Sequence, residues 1–325
     1  MTVTDNILGN IGGIQVNSLH SILEPDSDFT DTEEPVIFKP SPYTDYDSLT
    51  NILKNKKDIF KCLSFNIQSI NAKIDQLRIY IEQLGLDNCT FDAICVQETW
   101  LAGGSPLDHL QIEGYDMISS PCRLTSHSGL AFYLKHGLDY ECINDFVHSQ
   151  APSWEGQFVR VKFPGSKDLI LGNIYRPPRE LIENYRTFID EFNELVCTLR
   201  GELVIAGDYN IDLLQINNRN IINKYFESIM NNSLVPSITF PTRFSRMRGS
   251  LIDNFLCRLS DSFSETTTGI LTQNLSDHQP YFICLDYLKL KKPSTKYIKI
   301  TNQNNNNILK VKEYIKKQHL NPRYV

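Results

Sequence analysis

The sequence lacks the marks of several protein classes. No apolar run approaches the roughly 18 to 20 residues that span a bilayer, and no basic segment followed by an apolar one opens the chain. We therefore expect a soluble, non-secreted protein of the nucleus or cytoplasm, with no membrane partner. No internal similarity recurs at a period of about 20 to 50 residues, which argues against repeat architectures. The 325 residues give room for one large domain or two ordinary ones.

The chain also lacks the cysteine spacing of a zinc site. Its eight cysteines include no C-x-x-C pair. Cys62, Cys95, Cys257 and Cys284 lie inside apolar runs, where a reduced thiol behaves as a small hydrophobic side chain. This distribution favours a reducing compartment, although an even number of cysteines would also fit disulfides.

An overall positive charge is missing as well. The net charge is −6 and is unevenly distributed. Residues 1–50 hold nine acids against one lysine, and residues 289–325 hold ten bases against one glutamate. The part between them is acidic, so the net charge does not indicate a nucleic-acid partner.

Both ends of the chain are predicted to lie outside the folded domain. The acidic, proline-containing beginning has no sustained hydrophobic period, which predicts a disordered leader over residues 1–57. The Lys-rich and Asn-rich end predicts a basic linker over residues 289–325. One folded domain is then expected over residues 58–288.

Short β-rich apolar runs alternate with amphipathic helical patterns in this central region. Strands are predicted at 62–67, 93–97, 130–134, 158–163, 169–175, 203–206, 254–259 and 281–285. The longest helical pattern covers residues 181–199, and shorter ones cover 74–84 and 221–230. Many strands and few helices predict an α/β fold: a four-layer α/β sandwich of two packed mixed β-sheets flanked by helices.

Polar side chains with catalytic potential stand at the ends of these strands. Asn66 in S-F-N-I-Q-S and Glu98 in C-V-Q-E-T-W-L each follow a strand. Taken singly, each also fits a turn residue or a solvated strand end.

The segment V-I-A-G-D-Y-N-I-D is more informative. Gly207 is expected to permit a sharp exit from a buried strand, which places Asp208 and Asn210 on one side. A carboxylate beside an amide can hold a water and a phosphate oxygen together, although an Asx turn explains the segment equally well. Asp212 is expected to be a turn or cap residue.

A possible general base lies near the end of the region. Asp253 opens a strand in S-L-I-D-N, and Asp277 and His278 precede another in S-D-H-Q-P. A lone His is more often structural, but an Asp that accepts one imidazole N–H would fix the tautomer and raise the basicity of the other nitrogen.

The carboxylates are stronger evidence for a functional site as a group than as single residues. If Glu98, Asp208, Asp253 and Asp277 converge at one edge of the sandwich, their mutual repulsion has to be relieved. Mg²⁺ accepts oxygen ligands from Glu, Asp and Asn, and Mn²⁺ is the alternative. Zinc is disfavoured, because the candidates include no Cys and no paired His.

These blocks, in this order, resemble those of the endonuclease/exonuclease/phosphatase superfamily. The resemblance covers about residues 61–285 and rests on S-F-N-I-Q-S, Q-E-T-W, N-I-Y-R-P-P, G-D-Y-N-I-D, S-L-I-D-N and S-D-H-Q-P. The sequences of the middle blocks are most similar to those of the endonuclease domain of non-LTR (LINE-type) retrotransposon polyproteins. The W-x-G-D-x-N-x-R and P-x-W-C-D-R stretches of the phosphatase branch do not occur.

The resemblance implies a role for each matching position. Glu98 would be the main metal ligand, with Asn66 and Asp277 near the same ion. Tyr175 and Asn210 would contact the scissile phosphate. Asp208 would position or deprotonate the attacking water. His278, oriented by Asp253, would act as general base or as a hydrogen-bond partner in the transition state. Ser250 would contact a phosphate.

The implied activity is Mg²⁺-dependent nicking of DNA that leaves a 3′-hydroxyl and a 5′-phosphate, with a reverse transcriptase in cis in a longer polyprotein. DNA contacts are expected from Arg176 in the Tyr175 turn and from the loop F-P-T-R-F-S-R-M-R-G-S, which contains Arg243, Arg246 and Arg248. A solvated basic loop is the alternative for the latter. Two other functions stay open: a phosphomonoester or lipid-headgroup phosphatase of the same mechanism, and a catalytically silent nucleic-acid-binding module.

Overall fold

A computed structural model describes most of the central region of the chain. The described residues are 19, 39–56, 58–122, 124–143, 153–178, 181–245, 248–259, 266–273 and 275–289. The chain divides into two compact units, Met1–Lys291 and Lys292–Val325, and the second lies outside the described residues. Most of the predicted leader and nearly all of the predicted basic linker therefore lie outside them as well.

Fifteen strands, numbered in chain order, occur among the described residues. They are β1 (Tyr43–Thr44), β2 (Ile59–Asn66), β3 (Ala93–Gln97), β4 (Tyr115–Ser120), β5 (Leu130–Lys135), β6 (Tyr140–Ile143), β7 (Glu155–Val161), β8 (Leu169–Tyr175), β9 (Glu202–Asp208), β10 (Val235–Pro236), β11 (Arg243–Ser245), β12 (Arg248–Ser250), β13 (Asp253–Arg258), β14 (Thr266–Leu271) and β15 (Tyr281–Lys289). Each of the eight predicted strands overlaps one of them.

The strands form two large mixed sheets and a small ribbon. The first sheet has seven strands in the order β1-β14-β15-β2-β3-β5-β4, and the second has six in the order β10-β13-β9-β8-β7-β6. Strands β2 and β3 are parallel, as are β8 and β9, whereas most neighbours are antiparallel. The hairpin β11-β12 stands apart as a two-stranded ribbon. The predicted architecture of two mixed sheets is confirmed.

Alternate residues of the central strands face two different cores. In β3, Ala93 and Cys95 join a core that includes the second sheet, whereas Ile94 and Val96 join a core that includes the first long helix. This follows from the two-residue period of a strand. Because both faces are covered, the central strands are almost entirely apolar and buried.

In the part of the chain that the structure describes, four α-helices of ten or more residues lie on the sheets. They are α1 (Tyr46–Asn55), α2 (Ile70–Leu86), α3 (Ile182–Thr198) and α4 (Asn220–Asn231). Helix α3 buries most of the predicted stripe, including Tyr185, Phe188 and Phe192, in the core of the second sheet, whereas Leu181 precedes the helix and is exposed. Among the described residues, no helix is both long and apolar enough to cross a membrane.

The structure differs from the prediction for residues 39–56, which the sequence placed in a disordered leader. Strand β1 pairs in parallel with β14, and α1 buries Leu49 and Leu53. The acidic residues here belong to a helix start: the Asp45 side chain accepts a hydrogen bond from Ser48 N, and Asp47 lies in the first turn. Carboxylates at these positions stabilise a helix N-terminus, so a local excess of acids did not indicate disorder.

Candidate active site

The candidate residues meet at one edge of the two sheets. Parallel strands β2 and β3 end there with Asn66 and with Gln97 just before Glu98. Strand β9 ends there with Asp208, and antiparallel β13 begins there with Asp253, which is paired in register with Asp208. Antiparallel neighbours bring the start of one strand beside the end of the other, so residues far apart in the chain become adjacent.

Asn66 connects carboxylates from the two sheets. Its Nδ2 donates to Glu98 Oε1 at 2.7 Å and to Asp208 Oδ2 at 2.9 Å. Its Oδ1 accepts a hydrogen bond from the backbone N–H of Gln68 at 3.2 Å. The side chain therefore joins the first and second sheets, and its Oδ1 has capacity for one more contact.

Glu98 lies on a constrained turn after β3. Its φ is +53°, in the left-handed region that a residue with a Cβ seldom adopts, and Trp100 has a φ of +57°. The backbone is fixed here, because Ser69 N donates to the carbonyl oxygen of Glu98 at 2.9 Å. The indole Nε1 of Trp100 donates to Glu98 Oε2 at 3.2 Å. Strained backbone of this kind occurs preferentially at functional sites.

His278 and Asp253 form a buried pair beside Asp208. His278 Nδ1 lies 3.0 Å from both Oδ1 and Oδ2 of Asp253, and each residue is only 1% exposed. The Thr242 hydroxyl donates to Asp253 Oδ2 at 2.6 Å. Burial acts to lower the pKa of His278, but the charge and hydrogen bond of Asp253, aided by Asp208, outweigh it and raise that pKa to about 9.

The junction carries excess negative charge. Burial, Asp253 and Glu98 raise the pKa of Asp208 to about 7, against the opposing effects of His278 and the hydrogen bond from Asn66. Among the described residues, ligating atoms of Asp208, Asp253 and His278 lie within 4.8 Å of one another. Buried carboxylates at this density are stabilised by a cation.

The carboxylates that the sequence expects to converge are not equally accessible to a cation. Glu98 is partly exposed and contacts Asn66, so a cation can reach it, whereas Asp253 is occupied by His278 and Thr242. Carboxylate and amide oxygens are the donors that a hard divalent cation prefers. The residues around Glu98 therefore fit such an ion better than the buried Asp253–His278 pair does.

Asp277 lies at the rim and is bound by other side chains. Nε and Nη2 of Arg243 both lie 2.8 Å from Asp277 Oδ2, and Gln68 Nε2 donates to Asp277 Oδ1. Partial burial acts to raise the pKa of Asp277, but His278 and Arg243 outweigh it and lower that pKa. Gln68, which the sequence reasoning missed, links Asp277 to Asn66.

Tyr175 and Asn210 lie next to the carboxylates. Burial raises the pKa of Tyr175, and Glu98, which is hydrogen-bonded to it, adds to the effect. Asn210 has a φ of +48°; its N–H donates to Asp208 Oδ1 at 3.0 Å, and its Nδ2 donates to the carbonyl oxygen of Arg176 at 2.8 Å. The loop after β9 is thus held in one conformation.

Arg176 does not have the position that its predicted DNA contact requires. It is 1% exposed, and its Nη1 lies 3.3 Å from the carbonyl oxygens of Tyr209 and Asn210. Its guanidinium lies 4.3 Å from the ring centroid of Tyr185. A buried guanidinium directed at backbone carbonyls supports the loop, so the prediction of a substrate contact by Arg176 is wrong. The sequence could not reveal this, because a strand-end arginine is normally exposed.

Gly207 has a different role from the predicted sharp exit. It lies within β9, where a Cβ would come 2.5 Å from the carbonyl oxygen of Ile174. The glycine therefore allows strands β8 and β9 to approach closely. Asp212 is confirmed as a cap: its side chain accepts a hydrogen bond from Leu214 N at the start of the 3₁₀ helix Leu213–Gln215.

The basic loop forms the ribbon β11-β12 beside the site. Arg243 pairs in register with Ser250, and Arg248 is largely exposed, with its Nη2 3.5 Å from Asp212 Oδ2. Ser250 is partly exposed. Arg246 lies outside the described residues.

Several supporting residues were not found from the sequence. Tyr281 OH lies within 3.2 Å of Ser64 Oγ in the first sheet and of Gly207 N, Gly207 O and Asn254 O in the second. Gln97 Nε2 donates to Asn173 Oδ1 across the sheets at 2.6 Å. The one available signal was polar residues inside otherwise apolar strands, since buried polar groups need partners.

Comparison with known proteins defines the family of the chain. The sequence model of the Endonuclease/Exonuclease/phosphatase family matches residues 63–278. The chain belongs to this family, whose members are hydrolases acting on phosphoester bonds and whose nucleases are generally dependent on a divalent metal. No curated protein sequence matches the chain.

Solved structures share the fold at low sequence identity. The endonuclease domain of TRAS1, a telomere-specific non-LTR retrotransposon, is 14% identical with a TM-score of 0.55, covering 72% of this chain and 100% of that one. AP endonuclease LMAP from Leishmania major is 16% identical with a TM-score of 0.57, covering 75% and 92%. The 3'-5' exonuclease NExo from Neisseria meningitidis is 18% identical with a TM-score of 0.53, covering 70% and 100%. The two-sheet fold of these nucleases is the fold of this chain.

Proposed function

We propose that residues 39–289 form a Mg²⁺-dependent endonuclease that nicks DNA and leaves a 3′-hydroxyl and a 5′-phosphate. The observation that carries the proposal is the contact of the Asn66–Glu98 pair with Asp208, directly beside the buried His278–Asp253 pair. This arrangement offers a cation site, a proton acceptor and a hydrogen-bond donor within one small volume. Each of the three can accelerate hydrolysis of a phosphodiester: the cation and the donor stabilise developing negative charge, and the acceptor takes a proton from the attacking water.

Asp208 is the proposed proton acceptor. Its pKa of about 7 matches a group that is partly ionised near neutral pH, and an acid–base catalyst works best with a pKa near the working pH. In the proposed step, Asp208 takes a proton from a water whose oxygen attacks phosphorus in line with the 3′ oxygen. The P–O3′ bond breaks, and the 3′ oxygen leaves as a hydroxyl after taking a proton from solvent, to which Asp208 later releases the proton that it accepted.

His278 is the proposed hydrogen-bond donor to the phosphate. With a pKa of about 9 it carries a proton on each ring nitrogen at neutral pH. Asp253 occupies Nδ1, whereas Nε2 lies 3.9 Å from Asp277 Oδ1, beyond hydrogen-bond distance. The Nε2–H is therefore available to stabilise negative charge that develops on a phosphate oxygen.

Glu98 and Asn66, with Asp277 near them, would hold the Mg²⁺, with Mn²⁺ as a substitute. The ion would supply charge neutralisation at the phosphate. Tyr175 and Asn210 would orient the scissile phosphate, because both lie in contact with the carboxylates and are held by the surrounding backbone. Tyr175 stays protonated and can donate a hydrogen bond.

The ribbon β11-β12 is the proposed DNA-binding element. It presents Arg248 to solvent and carries Arg243 and Ser250 at the edge of the site. Arginines of such a ribbon can bind backbone phosphates of an otherwise acidic protein. Arg246 in the same loop would add to this contact.

The proposed biological setting is the target-nicking domain of a non-LTR retrotransposon polyprotein. The supporting points are the sequence blocks, the fold shared with the TRAS1 endonuclease domain, and the basic segment 289–325. The 3′-hydroxyl would then prime a reverse transcriptase encoded in cis.

Plasmid nicking tests the proposal. The purified full chain is incubated with supercoiled plasmid and Mg²⁺ or Mn²⁺, and relaxed circles are quantified over time, with EDTA as the metal-free arm. Glu98→Gln and His278→Ala should each lower the rate about 100-fold or more. His136→Ala is the matched control, because His136 is an exposed histidine 3.3 Å from Asp116.

The product ends test the chemistry. DNA ligase reseals only nicks with a 3′-hydroxyl and a 5′-phosphate, so treatment of the relaxed circles should restore covalently closed DNA. Absence of relaxed circles, or equal relaxation by Glu98→Gln and wild type, would contradict the proposal. Faster hydrolysis of inositol phosphates than of DNA would favour the phosphatase alternative, and Mg²⁺-independent DNA binding without cleavage would favour the silent binding module.

A further inference from the structure

An aromatic pair lies at the rim of the site and has no role in the proposed chemistry. The rings of Trp100 and His127 meet edge to face, with centroids 4.7 Å apart and an interplanar angle of 86°. Trp100 is half-buried and His127 is exposed. The indole Nε1 is hydrogen-bonded to Glu98, so the pair is coupled to the centre of the site.

The backbone around this pair is firmly held. Thr99 N donates to the carbonyl oxygen of Gly129 at 3.1 Å, and Trp100 N donates to that of Ser128 at 2.9 Å. These bonds join the Trp100 turn to the loop before β5, which carries His127. Gly129 has a φ of +94°, and a Cβ there would come 2.5 Å from Thr99 Oγ1, so the two segments pack in close contact.

A buried carboxylate from the second sheet anchors the same loop. Glu155 accepts hydrogen bonds from Leu124 N at 3.0 Å, from Ser128 Oγ at 2.8 Å and from Gly129 N at 2.7 Å. Glu155 begins β7 and pairs in register with Tyr175. One buried side chain therefore fixes the position of His127 relative to the site.

This construction is unusual for residues with only a packing role. Trp100 keeps a left-handed φ although it is only half-buried and belongs to neither hydrophobic core. Exposed aromatic rings fixed in place are the means by which proteins stack unpaired nucleobases, because every base has an apolar face. A base inside a duplex is already stacked on both faces, so it reaches such a ring only after leaving the stack.

We propose that Trp100 and His127 form a stacking site for an unpaired nucleobase next to the scissile phosphate. The proposal rests on the proposed function and deepens it: the preferred substrate is DNA that is unpaired or mismatched beside the cut. Glu155 is a positioning residue for this site, since it acts through the loop that carries His127.

Tryptophan fluorescence offers a direct test without catalysis. The chain has two tryptophans, and Trp154 is 0% exposed, so a ligand that stacks at the surface quenches Trp100. The full chain in EDTA is titrated with a duplex carrying one unpaired thymidine and with the fully paired duplex. We expect saturable quenching with the first duplex, absent in Trp100→Leu, and little quenching with the second.

Affinities measured by fluorescence anisotropy of labelled DNA give the second readout. Trp100→Leu should weaken binding of the unpaired-nucleotide duplex about 5- to 150-fold and change binding of the paired duplex less than about 3-fold. Trp100→Phe keeps an aromatic face and should retain most of the affinity. His127→Ala and Glu155→Gln should give intermediate losses. Tyr140→Leu, at a half-buried aromatic residue at the edge of the second sheet, is the matched control.

The outcomes separate this proposal from the proposed function. Equal quenching by paired and unpaired duplexes, or equal affinity of Trp100→Leu and wild type, would overturn the stacking site even if wild type nicks plasmid in Mg²⁺. Thermal melts of each variant verify folding; if Trp100→Leu unfolds, the comparison of the two duplexes on wild type still decides. Failure of wild type to nick any DNA would instead overturn the proposed function.

Discussion

Both carboxylate oxygens of Asp253 lie 3.0 Å from Nδ1 of His278, and the two side chains are almost entirely buried. The residues are 25 positions apart in the chain. Asp253 begins β13 of the second sheet, and His278 lies in the loop before β15 of the first sheet. The pair therefore spans the interface between the sheets, and its geometry depends on how they pack.

Asp253→Asn should impair the reaction without unfolding the protein. Loss of the charge leaves the tautomer of His278 uncontrolled and lowers its pKa from about 9 toward 6.5. We expect a fall in the nicking rate at saturating DNA of about 10²- to 10⁴-fold. An NMR titration of the His278 ring protons checks the pKa. Asp116→Asn is the control, because Asp116 faces the exposed His136; an unchanged His278 titration in Asp253→Asn would contradict the assignment.

Arg176→Lys should slow nicking through the loop after β9. Lysine keeps the charge but lacks the planar guanidinium that Arg176 directs at the carbonyl oxygens of Tyr209 and Asn210. We expect kcat to fall about 10-fold or more while the KM for DNA changes little, because a small displacement of catalytic groups is costly. The control is Arg219→Lys, whose guanidinium also lies over the Tyr185 ring, at 5.8 Å. A rise in KM without a fall in kcat would instead support the DNA contact predicted for Arg176 from the sequence.

Tyr281→Phe should destabilise the junction of the sheets. The hydroxyl contacts polar groups of both sheets, which would be left short of a partner in a buried setting. We expect the free energy of unfolding to fall by about 1 to 3 kcal/mol in urea denaturation. Tyr80→Phe is the matched control, because the buried hydroxyl of Tyr80 has no hydrogen-bond partner among the described residues. Equal effects of the two substitutions would contradict the role of the Tyr281 hydroxyl.

Asp92 should make stability depend on pH. Burial raises the pKa of Asp92 from 3.8 to about 6, although Lys135 and Lys61 oppose this. The folded state then holds a proton that the unfolded state has lost between these values, so stability falls as pH rises through that window. The expected loss is on the order of 2 to 3 kcal/mol. Denaturation curves from pH 4 to 7 should show this contribution in wild type and not in Asp92→Asn.

A control and a contrary result are available for Asp92. Asp75→Asn changes a carboxylate on the surface of α2 that is 86% exposed, and its pH profile should follow that of wild type. A stability difference between Asp92→Asn and wild type that is constant from pH 4 to 7 would show that burial does not perturb Asp92.

Metal binding should stabilise the folded domain. An ion that binds only the folded state raises the melting temperature as its concentration increases. We expect Mg²⁺ or Mn²⁺ to raise the Tm of wild type but not that of Glu98→Gln, in differential scanning calorimetry without DNA. An equal rise in both proteins would place the ion away from Glu98.

The pattern of apolar residues was sufficient to predict the main strands and helices. Strand β3 and helix α3 follow directly from short apolar runs and a helical stripe, because burial imposes the period of the element on the sequence. Seven of the fifteen described strands were missed: β4, β6 and β14, and the short strands β1, β10, β11 and β12. The residues of β4, β6 and β14 are half-exposed or polar in part, so the pairing of these three strands comes from neighbouring strands and not from a local pattern.

The sequence reasoning named the residues of the candidate site and expected the contact between Asp253 and His278, which the structure shows, but it did not predict the other contacts. Glu98, Asp208 and His278 stand out as polar residues at strand ends, and the family resemblance assigned them roles. That Asn66 contacts both Glu98 and Asp208 could not be predicted, because the second contact crosses between sheets. Arg176 shows the limit most clearly, since its burial depends on the aromatic side chains of helix α3.

The order of polar residues and apolar runs along the chain determined the class of fold and the chemical groups at its edge, because local patterns record burial and turn geometry. Tertiary structure alone decided which carboxylates share a hydrogen-bond network, which arginine is buried and which aromatic residues line the rim. These features depend on the packing of two sheets whose strands are far apart in sequence, and packing distances are not encoded in any local segment.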